Sequence, residues 1–176
     1  MNTPTAIGTV IFGFLVVVLI GVVIRRMLRG WKNRAERQAA LIGDLPSMPD
    51  RVGSAVIAPT RGLYLGCTIA PDWLDRVNVG DLGYRCKAVL TRYPQGVLLE
   101  RSGAGPIWIP ADAISAVRTE RALAGKVLPG KSGSESPGGI LVIRWKLPSG
   151  TEIDTGFRGD DRGVYPKWTA RTGEAL

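Results

Sequence analysis

The stretch GKVLPGKS, residues 125–132, has the clearest potential for chemistry in this chain, because it matches the phosphate-binding pattern G-x-x-x-x-G-K-[ST]. In such a loop the backbone N–H groups surround the phosphates of a nucleotide, and the lysine contacts the terminal phosphates. A helix that begins at the Lys-Ser pair adds its N-terminal dipole to the anion site. Taken alone, the match predicts ATP or GTP binding through Gly125, Lys131 and Ser132.

The residues that follow this loop do not supply the helix that a nucleotide site requires. Ser132 precedes GSESPGG, in which three glycines and Pro137 oppose a stable helix. The next apolar run, residues 139–146, ends in RWK and has no carboxylate that could hold Mg²⁺. We therefore predict a flexible hairpin loop bearing Lys126 and Lys131, with no helix after Ser132 and no bound nucleotide.

Other residues with catalytic or metal-binding chemistry are few. The chain has no histidine, which is the commonest general base and metal ligand. Cys67 and Cys86 have no CxxC spacing, and the apolar alternation around Cys86 predicts a buried thiol. The acidic residues Asp72 and Asp75 and the pair at 160–161 fit surface caps better than metal or acid–base sites. The sequence therefore predicts no enzymatic activity, no metal and no cofactor.

The distribution of charge argues against a nucleic-acid-binding domain. The net charge is +8 with a pI near 10.0. Residues 25–51 hold seven basic residues and three acidic ones, and residues 52–176 hold sixteen and twelve. Half of the excess positive charge therefore lies in one short segment, whereas a nucleic-acid-binding domain carries a basic stripe on its folded part. We predict no nucleic-acid partner.

The elements that position these residues begin with an apolar segment. Residues 6–24 contain no charge, and nineteen helical residues can just cross a hydrocarbon core of roughly 30 Å. A cleaved signal peptide would need basic residues before this segment and small residues at its end. The basic residues follow it instead, which favours an anchor in the plasma membrane with residues 1–5 outside and residues 25–176 in the cytoplasm.

A basic helical segment, residues 25–43, follows the predicted transmembrane helix, and residues 44–51 form a linker. Five of its residues are predicted to lie at the membrane interface: Arg25, Arg26, Arg29, Trp31 and Lys32. Two interpretations of the basic cluster remain open. It can serve only to orient the anchor, or it can recruit and sense anionic lipid in the bilayer.

Residues 52–176 have the period-two pattern of a mainly-β domain. Short apolar runs alternate with turn residues, and in RCKAVLTR one face carries Cys86, Ala88 and Leu90. Antiparallel strands of this length predict a small barrel or sandwich. One helical turn is predicted at residues 72–75, and a short closing helix is predicted around residues 161–171. The four tryptophans of this domain are predicted to pack in its core or at its rim.

Several motifs in this order resemble one protein family. They are GLYLG (62–66), DWLDRV (72–77), LGYR (82–85), GVLLER (96–101), IPA (109–111), AGK (124–126) and DTGFR (154–158). After a single N-terminal membrane helix, they resemble small actinobacterial membrane proteins with a cytoplasmic pleckstrin-homology-like domain. The resemblance implies an antiparallel barrel or sandwich of about seven strands with a short C-terminal helix. It places AGK between the fifth and sixth strands.

The resemblance and the missing catalytic groups lead to a binding function. Lipid-binding members of this fold use basic residues near the first hairpin, and the nearest equivalents here are Arg85, Lys87 and Arg92. Together with Lys126 and Lys131, these are the predicted contacts for an anion or a partner. The leading prediction is a non-enzymatic, membrane-tethered module that binds a protein partner. The alternative is an anionic-lipid sensor that uses residues 25–37.

Overall fold

A computed structural model describes the backbone of residues 3–127 and 139–170. Within the N-terminal helix it leaves the side chains of residues 3–7, 9–10, 31–35 and 37 undescribed. Contacts divide the chain into two compact units, Met1–Arg37 and Gln38–Leu176. Helix α1, Thr3–Ile42, provides the first unit and contributes its last residues to the second.

Helix α1 contains a segment that is long and apolar enough to cross a membrane. Among the residues whose side chains are described, this candidate span is Ile11–Gly30, with 20 residues and a mean hydropathy of 2.4. The sequence predicted a span at residues 6–24, so Arg25, Arg26 and Arg29 lie inside the observed candidate span instead of beyond it. All three side chains are exposed. Long basic side chains near the end of a span can extend toward the membrane interface.

The second unit is built mainly of antiparallel strands. Its elements are β1 Ile57–Ile69, β2 Cys86–Tyr93, β3 Gly96–Arg101, β4 Ile107–Pro110, β5 Ile114–Glu120, β6 Ala122–Leu123, β7 Lys126–Val127, β8 Ile140–Lys146, β9 Glu152–Gly159 and helix α2 Tyr165–Thr169. Seven strands form one sheet in the order β4-β3-β2-β1-β9-β8-β5, and β6 pairs with β7. Every neighbouring pair is antiparallel. The prediction of a mainly-β domain of about seven strands with a short C-terminal helix is confirmed.

Strand β1 joins the two halves of the sheet. Between Ile57 and Tyr64 it pairs with β2 on one side, and from Gly62 it also pairs with β9 on the other. Beyond a register shift between Tyr64 and Gly66, β1 continues only against β9. Its free edge there is covered by residues 75–77, whose Val77 N–H donates to the Cys67 carbonyl over 2.9 Å. Residues 57–69 form one continuous strand, because a register shift accommodates the residues between Ile57 and Thr60.

The main core lies on one face of this sheet. Its largest members are Tyr64, Trp145, Phe157, Tyr165 and Trp168, each no more than 1% exposed. Helix α2 contributes two of them, which explains how five helical residues can close the core. Their combined burial supplies the hydrophobic driving force that orders this end of the chain.

Three of the four tryptophans in the domain confirm the prediction of core packing. Trp108, Trp145 and Trp168 are at most 4% exposed and lie in the core, whereas Trp73 is 40% exposed, which agrees with the rim and not with the core. The prediction for Cys86 needs qualification, because this residue is half-buried at the edge of the core. The alternation of apolar residues predicts which face of the sheet a strand residue occupies. It does not predict how exposed a turn residue such as Trp73 is.

Two predicted helices differ from the structure. Residues 72–75 form a hydrogen-bonded turn in which the Asp72 carboxylate accepts the Leu74 N–H over 2.8 Å. No helix forms there, because the chain returns at once to pair with β1 at Arg76. The closing helix, predicted around residues 161–171, is shorter than expected and spans Tyr165–Thr169. Residue 171 lies outside the described residues.

The end of helix α1 is held by the turn between β8 and β9. Gly43 has a positive φ of 62° and donates its N–H to Ala39 over 2.9 Å, a common way for a helix to end. The Leu41 carbonyl accepts hydrogen bonds from the hydroxyls of Ser149, over 2.5 Å, and Thr151, over 2.7 Å. The last carbonyl groups of a helix lack partners within the helix, so these hydroxyls satisfy one of them.

Two side chains of this last helical turn belong to the β domain. Ile42 is 1% exposed and is part of the main core. Gln38 is 5% exposed, accepts the Asn78 N–H over 2.9 Å and donates to the Arg76 carbonyl over 3.1 Å. The compact unit therefore begins at Gln38, whereas the sequence predicted that the helix and a linker end before a domain that starts at residue 52.

Replacement of Gly62 tests how closely β1 and β9 pack. A Cβ atom at this position would lie 2.6 Å from Phe157 Cζ and 2.8 Å from Gly159 Cα, and it would collide with the Arg158 carbonyl. Because two of these atoms belong to the backbone, we expect Gly62→Ala to lower the free energy of unfolding by about 2 kcal/mol. Denaturant unfolding followed by tryptophan fluorescence measures this change.

Gly105→Ala is the matched control, because a Cβ atom there meets only the Asp81 carboxylate at 3.4 Å. This exposed position is expected to change stability by about 0.5 kcal/mol or less. Equal effects of the two substitutions would contradict the close approach of β1 to β9.

Candidate functional site

A concave groove of about 660 Å³ crosses the sheet face that is opposite the main core, over β9, β1, β2 and β3. We call it the sheet-face groove. Its exposed and half-buried lining includes Arg61, Leu63, Lys87, Val89, Glu100, Ser102, Arg158 and Asp160, and the buried Ala88 and Arg101 also border it. The strand register brings them together. Lys87 and Arg158 are the cross-strand neighbours of Leu63 on its two sides. Arg61 lies two residues before Leu63 and therefore points to the same face.

Apart from the buried Arg101, which is bound to Asp81, the charged side chains of the sheet-face groove have no ion-pair partners among the described residues. Arg61, Lys87, Glu100 and Asp160 are exposed, and Arg158 is half-buried. Within the described parts of the chain, none of the five has an oppositely charged group within 4.0 Å. Three cations thus face solvent beside two carboxylates.

The structure separates the basic residues that the sequence grouped as candidate contacts. Lys87 lies in the sheet-face groove. Arg85 is exposed just before β2 and does not line the groove, and Arg92 lies near the other end of β2, opposite Val97. Lys126 is exposed in β7, and Lys131 lies outside the described residues.

Arg61 and Arg158, which complete the cationic part of the groove, were not selected from the sequence. Arg61 lies in a short stretch, residues 59–62, between two apolar runs of the sequence, and Arg158 follows a run of buried residues in β9. The sequence does contain a weak signal for each of them. Arg61 precedes Gly62 and Arg158 follows Phe157, and because Gly62 and Phe157 face the core, alternation along the strand places the two arginines on the opposite face. Only the cross-strand register shows that these residues meet Lys87.

A second concavity of about 500 Å³ lies beside Trp73, and we call it the Trp73 pocket. Its lining includes Pro71, Trp73, Arg118, Glu120 and Asp154. The turn that carries Trp73 is held by the hydrogen bond from the Ala124 N–H to the Trp73 carbonyl, 2.9 Å long. Trp73 is 40% exposed and the next residue, Leu74, is 57% exposed. A fixed turn therefore presents two large apolar side chains to solvent.

Asp154 lies at the base of the Trp73 pocket and holds two arginines. Its side chain is 2% exposed. The Arg144 guanidinium donates two hydrogen bonds to it, 2.8 and 2.9 Å long, and Arg118 donates two more, 2.8 and 3.3 Å long. Arg118 also donates to Glu120 over 2.8 Å. Bidentate pairs of this kind link β5, β8 and β9.

The same contacts determine the ionisation of Asp154. Burial opposes the charged form, but the hydrogen bonds from Arg144 and Arg118 outweigh it and hold the pKa of the carboxyl below its ordinary value. The bonds to Asp154 raise the pKa of Arg144. The cluster is therefore ionised at neutral pH, and its donors and acceptors are mutually satisfied. We interpret it as a structural support beneath the pocket.

A third charged contact, between Arg101 and Asp81, is also structural. Arg101 donates to the Asp81 carboxylate over 2.7 Å and lies 5.0 Å above the centre of the Tyr64 ring. Burial raises the pKa of the Tyr64 hydroxyl, whose proton is donated to the Leu82 carbonyl over 2.6 Å. Burial likewise raises the pKa of the Cys67 thiol, which makes this cysteine a poor nucleophile.

The described part of GKVLPGKS forms a β-hairpin. Ala124 and Gly125 have positive φ angles of 50° and 70°, and they connect the paired strands β6 and β7. Two residues of this conformation make the turn that joins short antiparallel strands. The Lys126 backbone therefore pairs with Leu123, whereas a P-loop would direct it around a phosphate. The rest of the motif, and the position after Ser132 where no helix was predicted, lie outside the described residues.

The hairpin is packed onto the sheet by Leu123. This side chain is 1% exposed and belongs to a small apolar cluster with Leu65, Ile140 and Val142. It lies against Gly156, where a Cβ atom would collide with it. Leu123 therefore holds the hairpin against the sheet, and the lack of a side chain at Gly156 leaves room for it.

Comparison with known proteins places the β domain in a family. The model of the family described as Bacterial PH domain-like matches residues 42–173, which is more than half of the chain. No curated protein matches the chain. The match begins at Ile42, the residue through which helix α1 enters the main core.

Proposed function

Because this chain belongs to the bacterial PH domain-like family, we propose that it is a membrane-anchored, non-enzymatic module that binds a protein partner. Domains of this fold are generally non-catalytic and act in binding or as scaffolds. The fold alone does not specify a ligand, so the proposal depends on the surfaces of this particular domain.

The observation that carries the proposal is the exposure of Trp73 and Leu74 on a fixed turn. Asp72 caps this turn, and the β6–β7 hairpin holds its backbone. Aromatic side chains that are exposed on a rigid support and lie beside a pocket are typical of the few residues that dominate binding energy at protein interfaces. Since the turn is already ordered, little conformational entropy is lost when a partner covers it.

We further propose that the β domain is cytoplasmic. The supporting observation is the position of the basic residues, which follow the apolar part of α1 and do not precede it. Cytoplasmic flanks of membrane helices are enriched in Lys and Arg. This orientation places the N-terminus outside the cell and leaves the Trp73 turn accessible to cytoplasmic proteins and to cytoplasmic parts of membrane proteins.

Crosslinking in native membranes tests the proposed function. A photoreactive amino acid at position 74 is expected to capture a discrete protein, and Trp73→Ala is expected to reduce the captured amount by about tenfold or more, as for a dominant interface residue. Tyr84→Ala is the matched control, because Tyr84 is another exposed aromatic residue, 62% exposed, elsewhere in the same connection. Failure to capture any reproducible neighbour, or equal losses in the two variants, would contradict the proposal.

A further inference from the structure

We propose that the sheet-face groove binds an acidic, extended segment of the protein partner, with carboxylate side chains of that segment facing Arg61, Lys87 and Arg158. The inference rests on the proposed function and specifies the chemistry of the partner segment that is bound. It concerns a surface separate from the Trp73 turn, so the two surfaces can be tested independently.

Three cations of the groove, Arg61, Lys87 and Arg158, are available for a ligand, unlike the other well-placed arginines of the domain. Arg101, Arg118 and Arg144 are each bound to a carboxylate at 2.7–2.8 Å. The described residues include no such carboxylate for Arg61, Lys87 or Arg158. An incoming carboxylate therefore gains charge-assisted hydrogen bonds without breaking an existing pair.

The spacing of these cations suits an extended peptide. Lys87 and Arg158 flank Leu63 on adjacent strands, so their backbones are about 10 Å apart. Arg61 is two residues from Leu63, about 7 Å along β1. Alternate side chains of an extended segment project to one side with the same spacing of about 7 Å. Two carboxylates at alternate positions can therefore reach the cations together.

The base of the groove is apolar. Leu63 and Val89 are half-buried between the charged side chains, and Leu63 also packs against the small cluster around Leu65. An aliphatic side chain of the bound segment would cover this surface and remove it from water. Free phosphate and a nucleotide phosphate have no group that could use this part of the groove.

Two features favour a protein segment over a lipid surface. Glu100 and Asp160 stand beside the cations, and they repel a uniformly negative ligand while they can pair with a basic or amide group of a peptide. The groove also has an apolar base, formed by Leu63 and Val89, which a charged lipid headgroup would leave uncovered. A mixed-sequence acidic segment satisfies both features.

The test uses the full-length protein in neutral-lipid nanodiscs and a fluorescent hexapeptide that alternates Glu with Val. We expect saturable binding that weakens at higher salt, and we expect Lys87→Glu to weaken it by about tenfold. Arg85→Glu is the matched control, because Arg85 is an exposed neighbour that does not line the groove and its replacement changes the net charge equally. It is expected to weaken binding by about twofold or less.

Three results would overturn the inference: equal losses for Lys87→Glu and Arg85→Glu, equal binding of a Gln/Val hexapeptide, or Lys87-dependent binding of phosphatidylglycerol vesicles in place of the peptide. Crosslinking from position 74 distinguishes this failure from failure of the proposed function. If the partner is still captured while the groove does not bind the acidic peptide, the groove inference fails alone. If no partner is captured, the proposed function fails as well.

Discussion

Replacement of Asp154 by alanine is expected to lower the free energy of unfolding by about 3–5 kcal/mol, the usual result when one member of a buried ion pair is removed. The Asp154 side chain is 2% exposed and accepts four hydrogen bonds from Arg118 and Arg144. Without it, two guanidinium groups on adjacent strands repel each other and lose their acceptor. Denaturant unfolding of the full-length chain in detergent, followed by fluorescence of the buried tryptophans, measures the loss.

The pH dependence of the same substitution has a definite sign. The pKa of Asp154 is lowered in the folded state, so its charge stabilises the fold above the unfolded pKa of about 3.9. This contribution is lost as the pH falls toward and through the folded pKa. The stability difference between the native chain and Asp154→Asn should therefore be largest near pH 7 and should shrink below about pH 4.

Glu120→Gln is the control for the Asp154 variants, because Glu120 pairs with Arg118 but is 44% exposed. Removal of this partly solvated charge is expected to cost about 1 kcal/mol or less. If Asp154→Ala were as mild as Glu120→Gln, or if its effect were independent of pH, Asp154 would not be the support of the β5–β8–β9 region.

The second large effect concerns the last turn of helix α1. A fragment that begins at Asp44 is expected to be less stable than one that begins at Glu36 by about 3–5 kcal/mol, because it lacks the fully buried Ile42 and the hydrogen bonds of Gln38. In the full-length chain, Ile42→Ala should cost about 2–4 kcal/mol through the cavity that it leaves. Unfolding midpoints in denaturant compare the two fragments and the two full-length chains.

Leu41→Ala is the matched control on the same helical turn, since Leu41 is 50% exposed and contributes to the domain only through its carbonyl group. Its expected effect is about 0.5 kcal/mol or less. Equal stability of the two fragments would show that the β domain does not require the helix end, and that its boundary lies where the sequence placed it.

The motifs that carry the resemblance in the sequence have mainly structural roles. In GLYLG, Gly62 allows β9 to approach β1, and Tyr64 fills the core. In DTGFR, Asp154 binds two arginines, and Gly156 makes room for Leu123. Lys87 and Trp73 have no such role in the fold. The motifs nevertheless include residues to which the partner-binding proposals refer, namely Trp73 in DWLDRV and Arg158 in DTGFR.

The sequence alone determined the features that depend on local chemistry. An uncharged apolar segment predicts a helix that can cross a membrane, and alternation of apolar residues predicts strands, because each signal is complete within a few residues. The prediction against a P-loop rests on the same kind of local signal, since the glycines and Pro137 that oppose the required helix are adjacent to the motif. These local signals led to the mainly-β fold.

Tertiary structure decided the features that depend on residues distant in the chain. Lys87 meets Arg61 and Arg158 only because β1 pairs with both β2 and β9 in one particular register, and a shift of one residue would turn these side chains to the other face. Ile42 belongs to the domain because turn residues more than a hundred positions later hold the helix end. The exposed Trp73 lies on a turn that is held by a hydrogen bond from the β6–β7 hairpin. Part of the sequence of this hairpin matches the nucleotide-binding pattern.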